Sequence, residues 1–256
     1  MDRNNILVRY DQDLRLRIVY PEARKEITRD VVRVIRRTPG PNVVSFTFAN
    51  EANLHRVIHN ELDYFRPLGQ PFTWKVYDHD LLPSLKEQLA SHGFAGDAEP
   101  RAVMVLDVRK DAGLPAPAIE VDTRLIDNAE ELRNVVHVLD QGSDDRGSWV
   151  KDRLARYLQI PGSLSILAAY VADQPASIAW THFPRGQFAR LSEGFTLAEY
   201  RRQGRYTSLL GRRLNEIRGR GYHYAVFELR SADKALASQH GFQHLTTLHN
   251  YRWDGN

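Results

Sequence analysis

Residues 196–210, TLAEYRRQGRYTSLL, place three arginines, a glutamine and a single glycine between two patterned segments. Upstream, FARLSEGFTL has the aromatic and branched residues of a strand. Downstream, Leu209, Leu210, Leu214 and Ile217 recur at helical spacing, with Arg212, Arg213, Asn215 and Arg218 on the other side. A basic turn that opens a helix is a natural seat for a phosphate, because free N–H groups and the positive end of the helix dipole both point at it. Gly204, lacking a β-carbon, lets backbone approach such a group closely. The alternative is an ordinary strand-to-helix loop with solvated arginines.

Other chemistry-bearing residues are sparser. His55 and His59 stand four apart on one predicted helix, a spacing that can bind metal, but the intervening RVI lacks the glutamate of a zinc hydrolase. A surface or packing role is expected for them, and no metal. Asp78, His79 and Asp80 could ligate a cation, although the expected reading is a strand ending in solvent. Neither a G-x-S-x-G elbow, a Walker loop nor a G-x-G-x-x-G fingerprint occurs. With no cysteine, disulfides, thiolate metal sites and a cysteine nucleophile are excluded together. Trp74, Trp149 and Trp180 are expected in the core or lining a cleft.

These residues sit in a chain of 256, long enough for one large domain or two small ones. Hydrophobic content of 42% and charged content of 26% are those of a globular protein. No apolar run approaches the roughly 20 residues of a membrane span, and MDRNNILVRYDQD has no signal-peptide core, so a cytoplasmic protein without membrane partners is expected. Net charge is only +3 at a pI near 9.1, with acids interspersed among arginines. Such a surface suits a ligand with a few phosphates better than a nucleic acid.

The small-residue and proline stretch AGLPAPA, Ala112 to Ala118, divides two patterned halves, expected as domains 1–113 and 114–256. In the first, PEARKEITRDVVRVIRR reads as a helix with Pro21 at its start, an apolar stripe of Ala23, Ile27, Val31, Val34 and Ile35, and a stop at TPGP. Arg29, Arg33, Arg36 and Arg37 would give it a basic face, diluted by Glu22, Glu26 and Asp30 and therefore read as solvated. Then follow the strand VVSFTF, the helix NEANLHRVIHNELDYF, the strand WKVYD, a helix ending HGF and the strand RAVMVLDV. The second half begins with helical segments NAEELRNVVHVL and WVKDRLARYL, continues with strands SLSILAAYVAD, PASIAWTHF and QFARLSEGFTL, and reaches the basic turn and its helix. The strand YAVFEL, a short helix again ending HGF and the strand HLTTLHNYRW complete it. The paired HGF tripeptides hint at duplication.

On these residues the second half, roughly 119–253, resembles the GNAT-type N-acetyltransferases, in which a central strand leads through a basic R/Q-x-x-G-x-G/A turn into a helix. Here that run is Tyr200, Arg201, Arg202, Gln203, Gly204, Arg205, Tyr206, and VFELRS with LASQHGF is similar to the family's following strand and its LYxxxGF helix. The first half resembles the family more faintly, without the turn, as a degenerate acetyltransferase-like domain. The resemblance implies an α/β (α+β) fold of two tandem acetyltransferase-like domains, each a mixed, mostly antiparallel sheet flanked by helices. It implies acetyl-CoA as donor, the backbone of Gly194, Phe195 and Thr196 along its pantetheine arm, and Arg202, Gln203, Gly204, Arg205, Tyr206 and Thr207 around its phosphates. A backbone N–H on that strand would also stabilise the tetrahedral oxyanion. Two departures matter: Tyr206 stands where the family has a small residue, and Ala237 where it has the tyrosine that protonates the leaving thiolate.

The expected reaction is direct attack of a neutral primary amine on the thioester in a ternary complex. An alkylamine's pKa near ~10 then requires a base at neutral pH. Relatives place a base glutamate on either of two strands, which gives Glu228 in the buried YAVFEL strand, with Glu193 as the alternative. The acceptor, a small amine or a peptide, is not specified by the sequence, nor is the choice between monomer and homodimer. Two other readings stay open at this stage: a non-catalytic acyl-CoA-binding or sensor protein, and an RNA-binding module.

Overall fold

The computed structural model describes residues 2–37, 40–110, 121–141, 147–192 and 194–255, with backbone alone at 147–149. The proline-rich break at 112–118, Glu193 and the Trp149 side chain lie outside the described residues.

In chain order the elements are α1 (Arg3–Tyr10), continued by a π-helical turn Asp11–Leu16, then β1 (Ala23–Ile27), β2 (Val31–Arg36), β3 (Asn42–Thr47), α2 (Leu54–Phe65), β4 (Phe72–Tyr77), α3 (Leu85–Ser91), β5 (Ala95–Gly96) and β6 (Arg101–Asp107). They continue with β7 (Thr123–Ile126), α4 (Leu132–Asp140), α5 (Gly147–Leu158), β8 (Leu164–Val171), β9 (Gln174–His182), β10 (Phe188–Leu191), β11 (Phe195–Thr196), α6 (Arg205–Gly219), β12 (Tyr224–Arg230), α7 (Lys234–Gln239) and β13 (Gln243–Trp253). The pairing is mixed and mostly antiparallel, with helices flanking the strands.

The chain forms two compact units: Met1–Val103 with Glu228–Lys234 and His244–Asn256, and Met104–Phe227 with Ala235–Gln243. This differs from a contiguous division into 1–113 and 114–256. The physical reason is β13, whose Leu248 to Trp253 pair antiparallel with Tyr77 to Phe72 of β4. In the first unit the strands run β1-β2-β3-β4-β13. Their core joins α2, α3 and the sheet through Leu54, Ile58, Phe65, Phe72, Trp74, Leu85, Leu89 and Trp253.

The segment expected as the first helix is instead a hairpin, with Ala23 opposite Arg36 and Ile27 opposite Val32. Its apolar spacing fits a helix stripe, but Val31, Val32, Val34 and Ile35 are β-branched, which favours the pleated state. Thr28 turns the chain: its hydroxyl oxygen accepts from the N–H groups of Asp30 and Val31, at 3.2 and 3.0 Å. Of the arginines read as a solvated face, Arg29 and Arg37 are exposed, whereas Arg33 pairs with Glu26 and Glu61 and Arg36 with Glu22. Likewise His79 and Asp80 do not end a strand in solvent. Arg15, buried between the Phe46 and Tyr77 rings, binds Asp80 and Asp11, and His79 meets Asp11 at 3.0 Å.

In the second unit the strands run β12-β10-β9-β8-β7. The helix α6 packs Leu209 against Leu167, Ala169 and Ala179 of β8 and β9. Both HGF segments close their helices alike, each in its own unit. Gly93 and Gly241 have φ of +85° and +83°, and the following N–H reaches back, Phe94 to Leu89 and Phe242 to Ala237.

Candidate active site

The second unit holds the strand and turn singled out in the sequence. β10 pairs in parallel with β12, from Phe188 opposite Tyr224 to Arg190 opposite Val226. On its other edge Leu191 lies opposite Thr181 of β9, whereas Phe195 of β11 lies opposite Ile178. Four steps along one strand therefore match three along the other, so one extra residue forms a bulge between Leu191 and Phe195. Past the bulge β11 pairs with β9 alone among the described strands. The expected single strand QFARLSEGFTL is thus two short ones separated by an irregularity.

A buried cation holds this irregularity. Arg213, on the inner face of α6, donates through Nη2 to the carbonyls of Trp180 and Ser192 at 2.5 and 2.9 Å, and through Nε to Thr181 Oγ1 at 3.0 Å. Its burial lowers the guanidinium pKa to about 10. Sequence periodicity places Arg213 on a polar face; its neighbours Leu209, Leu210, Leu214 and Ile217 are buried as expected.

Beyond the bulge Leu197 N–H donates to Ala176 at 3.0 Å. Ladder alternation then directs the peptide groups of Thr196 to the opposite edge of β11. The carbonyl there accepts from Arg201 Nε at 3.0 Å, and the Arg201 guanidinium lies 5.9 Å from the Phe195 ring. Strand edge and basic turn therefore form one continuous surface.

In the turn, Arg202 and Gly204 both take the left-handed conformation, with φ of +57° and +77°. Gly204 is the N-cap of α6, and no side chain caps that end, so the first-turn N–H groups face outward. Arg205 donates to Gln203 Oε1 at 2.6 Å, Gln203 donates to the Glu199 carbonyl at 2.8 Å, and the Arg205 guanidinium stands 5.2 Å from the Tyr200 ring. Arg205 Nε is buried without a hydrogen-bond partner. An orphaned donor and an uncapped helix start suit an anionic ligand. Tyr206 does not crowd the turn: a β-carbon on Gly194 would sit 3.4 Å from its ring. The aromatic side chain lies back against the bulge strand, since Tyr206, Leu209, Leu210 and Arg213 share the inner face of α6.

Glu228 belongs to the first unit, two residues past Val226 along β12. Its half-buried carboxylate accepts from the Tyr10 hydroxyl at 3.3 Å and pairs with Lys75 at 3.4 Å, and Tyr10 in turn lies 3.5 Å from the Tyr77 hydroxyl. Burial pushes the Tyr77 phenol above its ordinary value. Sequence reading missed Tyr10, Lys75 and Tyr77. The available signals are Tyr10 on the apolar stripe of residues 6–14 and Lys75 alternating with the buried residues of β4. Glu193 lies outside the described residues. Ala237 on α7 is buried and carries no hydroxyl.

No protein-family model matches this chain, and no curated protein does. Among solved structures, a GCN5-related N-acetyltransferase from Kribbella flavida is similar at 13% identity and a TM-score of 0.68, covering 97% of this chain and 93% of its own. A tandem GNAT protein from the clavulanic acid biosynthesis pathway matches at 14% identity and a TM-score of 0.67, over 94% and 86%. A functionally unknown conserved protein from Staphylococcus epidermidis matches at 14% and 0.66, over 92% and 96%. The chain has a two-domain GNAT-type fold.

Proposed function

We propose that this protein is an acetyl-CoA-dependent N-acetyltransferase acting on a primary amine of a small molecule or peptide. The fold suggests acyl transfer. The observation that carries the finer reading is the uncapped basic turn at Arg202–Thr207 adjoining a bulged strand, β11, whose outer edge pairs with no other described strand. In this reading the N–H groups of the turn, with Arg202 and Arg205, hold the donor's phosphates, and the backbone of Gly194, Phe195 and Thr196 pairs with its pantetheine arm. The second half, 114–256, binds the donor. The first half has no corresponding turn in its sequence and contributes to acceptor recognition.

Glu228 is the proposed base. Donation from Tyr10 and the charge of Lys75 hold its carboxylate in place, ready to take the proton that the amine must lose. Glu193 is the alternative. No covalent enzyme intermediate is required, and the chain has no cysteine to form one. The test is thiol release from acetyl-CoA across a panel of amines and peptides. Acceptor-dependent release supports the assignment; CoA binding without turnover on any acceptor removes it.

A second reading, a non-catalytic acyl-CoA-binding or sensor protein, is favoured by Ala237. At that buried position no hydroxyl is available to protonate a leaving thiolate.

A further inference from the structure

The two histidines four apart on α2 acquire a third companion in the structure. His55 and His59 lie one turn apart, and His92 caps the C-terminal end of α3. The ligand nitrogens of the three all lie within 4.8 Å of one another. Their ring centroids are separated by 4.3 Å (His55–His59), 5.1 Å (His55–His92) and 4.8 Å (His59–His92). None of them belongs to the basic turn or to the contacts of Glu228.

Two features make this more than a chance cluster. First, the tautomers are set. His59 Nδ1 lies 3.0 Å from the His55 carbonyl, and His92 Nδ1 lies 2.6 Å from the Gln88 carbonyl. A carbonyl only accepts, so each Nδ1 carries the proton and donates it, which leaves both Nε2 lone pairs for a ligand. Histidine ligands in metalloproteins are oriented by this kind of outer hydrogen bond. Second, the backbone is fixed without an ion. Leu54, Val57, Ile58 and Leu62 of α2 share one buried core with Leu85 and Leu89 of α3.

We infer that His55, His59 and His92 form a binding site for one divalent first-row transition-metal ion, joining α2 to the end of α3. Neutral imidazoles suit zinc, copper, nickel and cobalt, and no acidic residue belongs to the cluster, which disfavours magnesium and calcium. Tetrahedral ligation at about 2.0–2.1 Å requires nitrogens roughly 3.3 Å apart, so the exposed His55 ring turns inward toward His59 and His92 on binding. His55 and His59 are exposed, so water occupies the fourth position. A metal that binds the folded state alone stabilises it, so the ion acts as a clamp on the first unit.

Zinc titration of the untagged full-length chain tests the site. Wild type is expected to bind one equivalent, and His55→Gln or His92→Gln to weaken that binding by about 100-fold or more. Zinc is also expected to raise the melting temperature of wild type and not of either variant. Cobalt(II) should give the intense visible absorption of a four-coordinate ion only with wild type. His55→Gln lies on an exposed helix face, so its metal-free melting temperature serves as the folding control. Equal zinc affinity and stoichiometry in wild type and the doubly substituted chain, or no binding to wild type, would overturn the inference.

Discussion

At the scale of single residues, Glu228 and His182 make opposite use of burial. Glu228, half-buried in its strand, keeps a charge partner in Lys75 and a hydroxyl donor in Tyr10. Glu228→Gln retains shape and hydrogen bonding while removing basicity. Turnover at neutral pH is expected to fall by ~10²-fold with CoA affinity little changed. Unchanged turnover across the pH range, with chemistry rate-limiting, would eliminate it as the base. His182 on β9 is buried beside the Tyr157 ring, and its Nδ1 has no hydrogen-bond partner. Burial, reinforced by Arg190, Arg153 and Arg213, holds its pKa well below the ordinary 6.5. Below that value the unfolded chain takes up a proton that the folded chain refuses, so stability is lost as pH falls through 6.5 and below. Denaturant titrations at two pH values should show His182→Leu losing less stability on acidification than wild type; identical losses would contradict the assignment.

At the scale of elements, the basic turn depends on one residue that tolerates the left-handed region. Gly204→Val puts a β-branched side chain at φ +77° in the turn proposed to hold the donor's phosphates. It is expected to cost about 1–2 kcal/mol of stability and to weaken CoA binding far more than that strain alone explains. Equal affinities for wild type and variant by calorimetry would displace the donor from this turn. The turn was legible in the sequence because glycine and arginines interrupt a strong periodic pattern. Other elements were not. In residues 23–36 Ala23, Ile27, Val31, Val34 and Ile35 fit a helix stripe as well as a hairpin, and only Val32, the β-branched run and the Thr28 turn separate them. The N-terminal helix, with Ile6, Leu7, Tyr10 and Leu14 buried, is mostly polar and short, so its stripe is weak. A possible bulge was readable beside Gly194, but the grip of Arg213 on the Ser192 carbonyl is a tertiary contact that no local pattern encodes. His92 likewise reaches His55 and His59 through folding, more than thirty residues along the chain.

At the scale of the whole molecule, two-domain organisation was readable from alternating elements and the paired HGF segments, but the path of the last strand was not. Strand β13 completes the first unit from the far end of the chain, because its partner β4 lies about 170 residues earlier. A fragment beginning near Leu114 would keep this strand without β4 and present an unpaired edge. The same pairing predicts what happens on trimming the C-terminus. Ending the chain at Gln243 removes Leu245, Leu248 and Trp253, all at most 5% exposed. Deleting each such side chain costs roughly 2–5 kcal/mol. Their sum is comparable to the whole stability of a domain, about 5–15 kcal/mol, before the lost ladder is counted. The chain ending at Gln243 is therefore expected to be insoluble or to melt without a cooperative transition. One ending at Trp253 keeps every pair of the β4 ladder and should melt with the full-length protein. Circular dichroism melts of the three lengths decide the matter. If the Gln243 truncation unfolds cooperatively at the same temperature as the 256-residue chain, β13 does not carry the first unit.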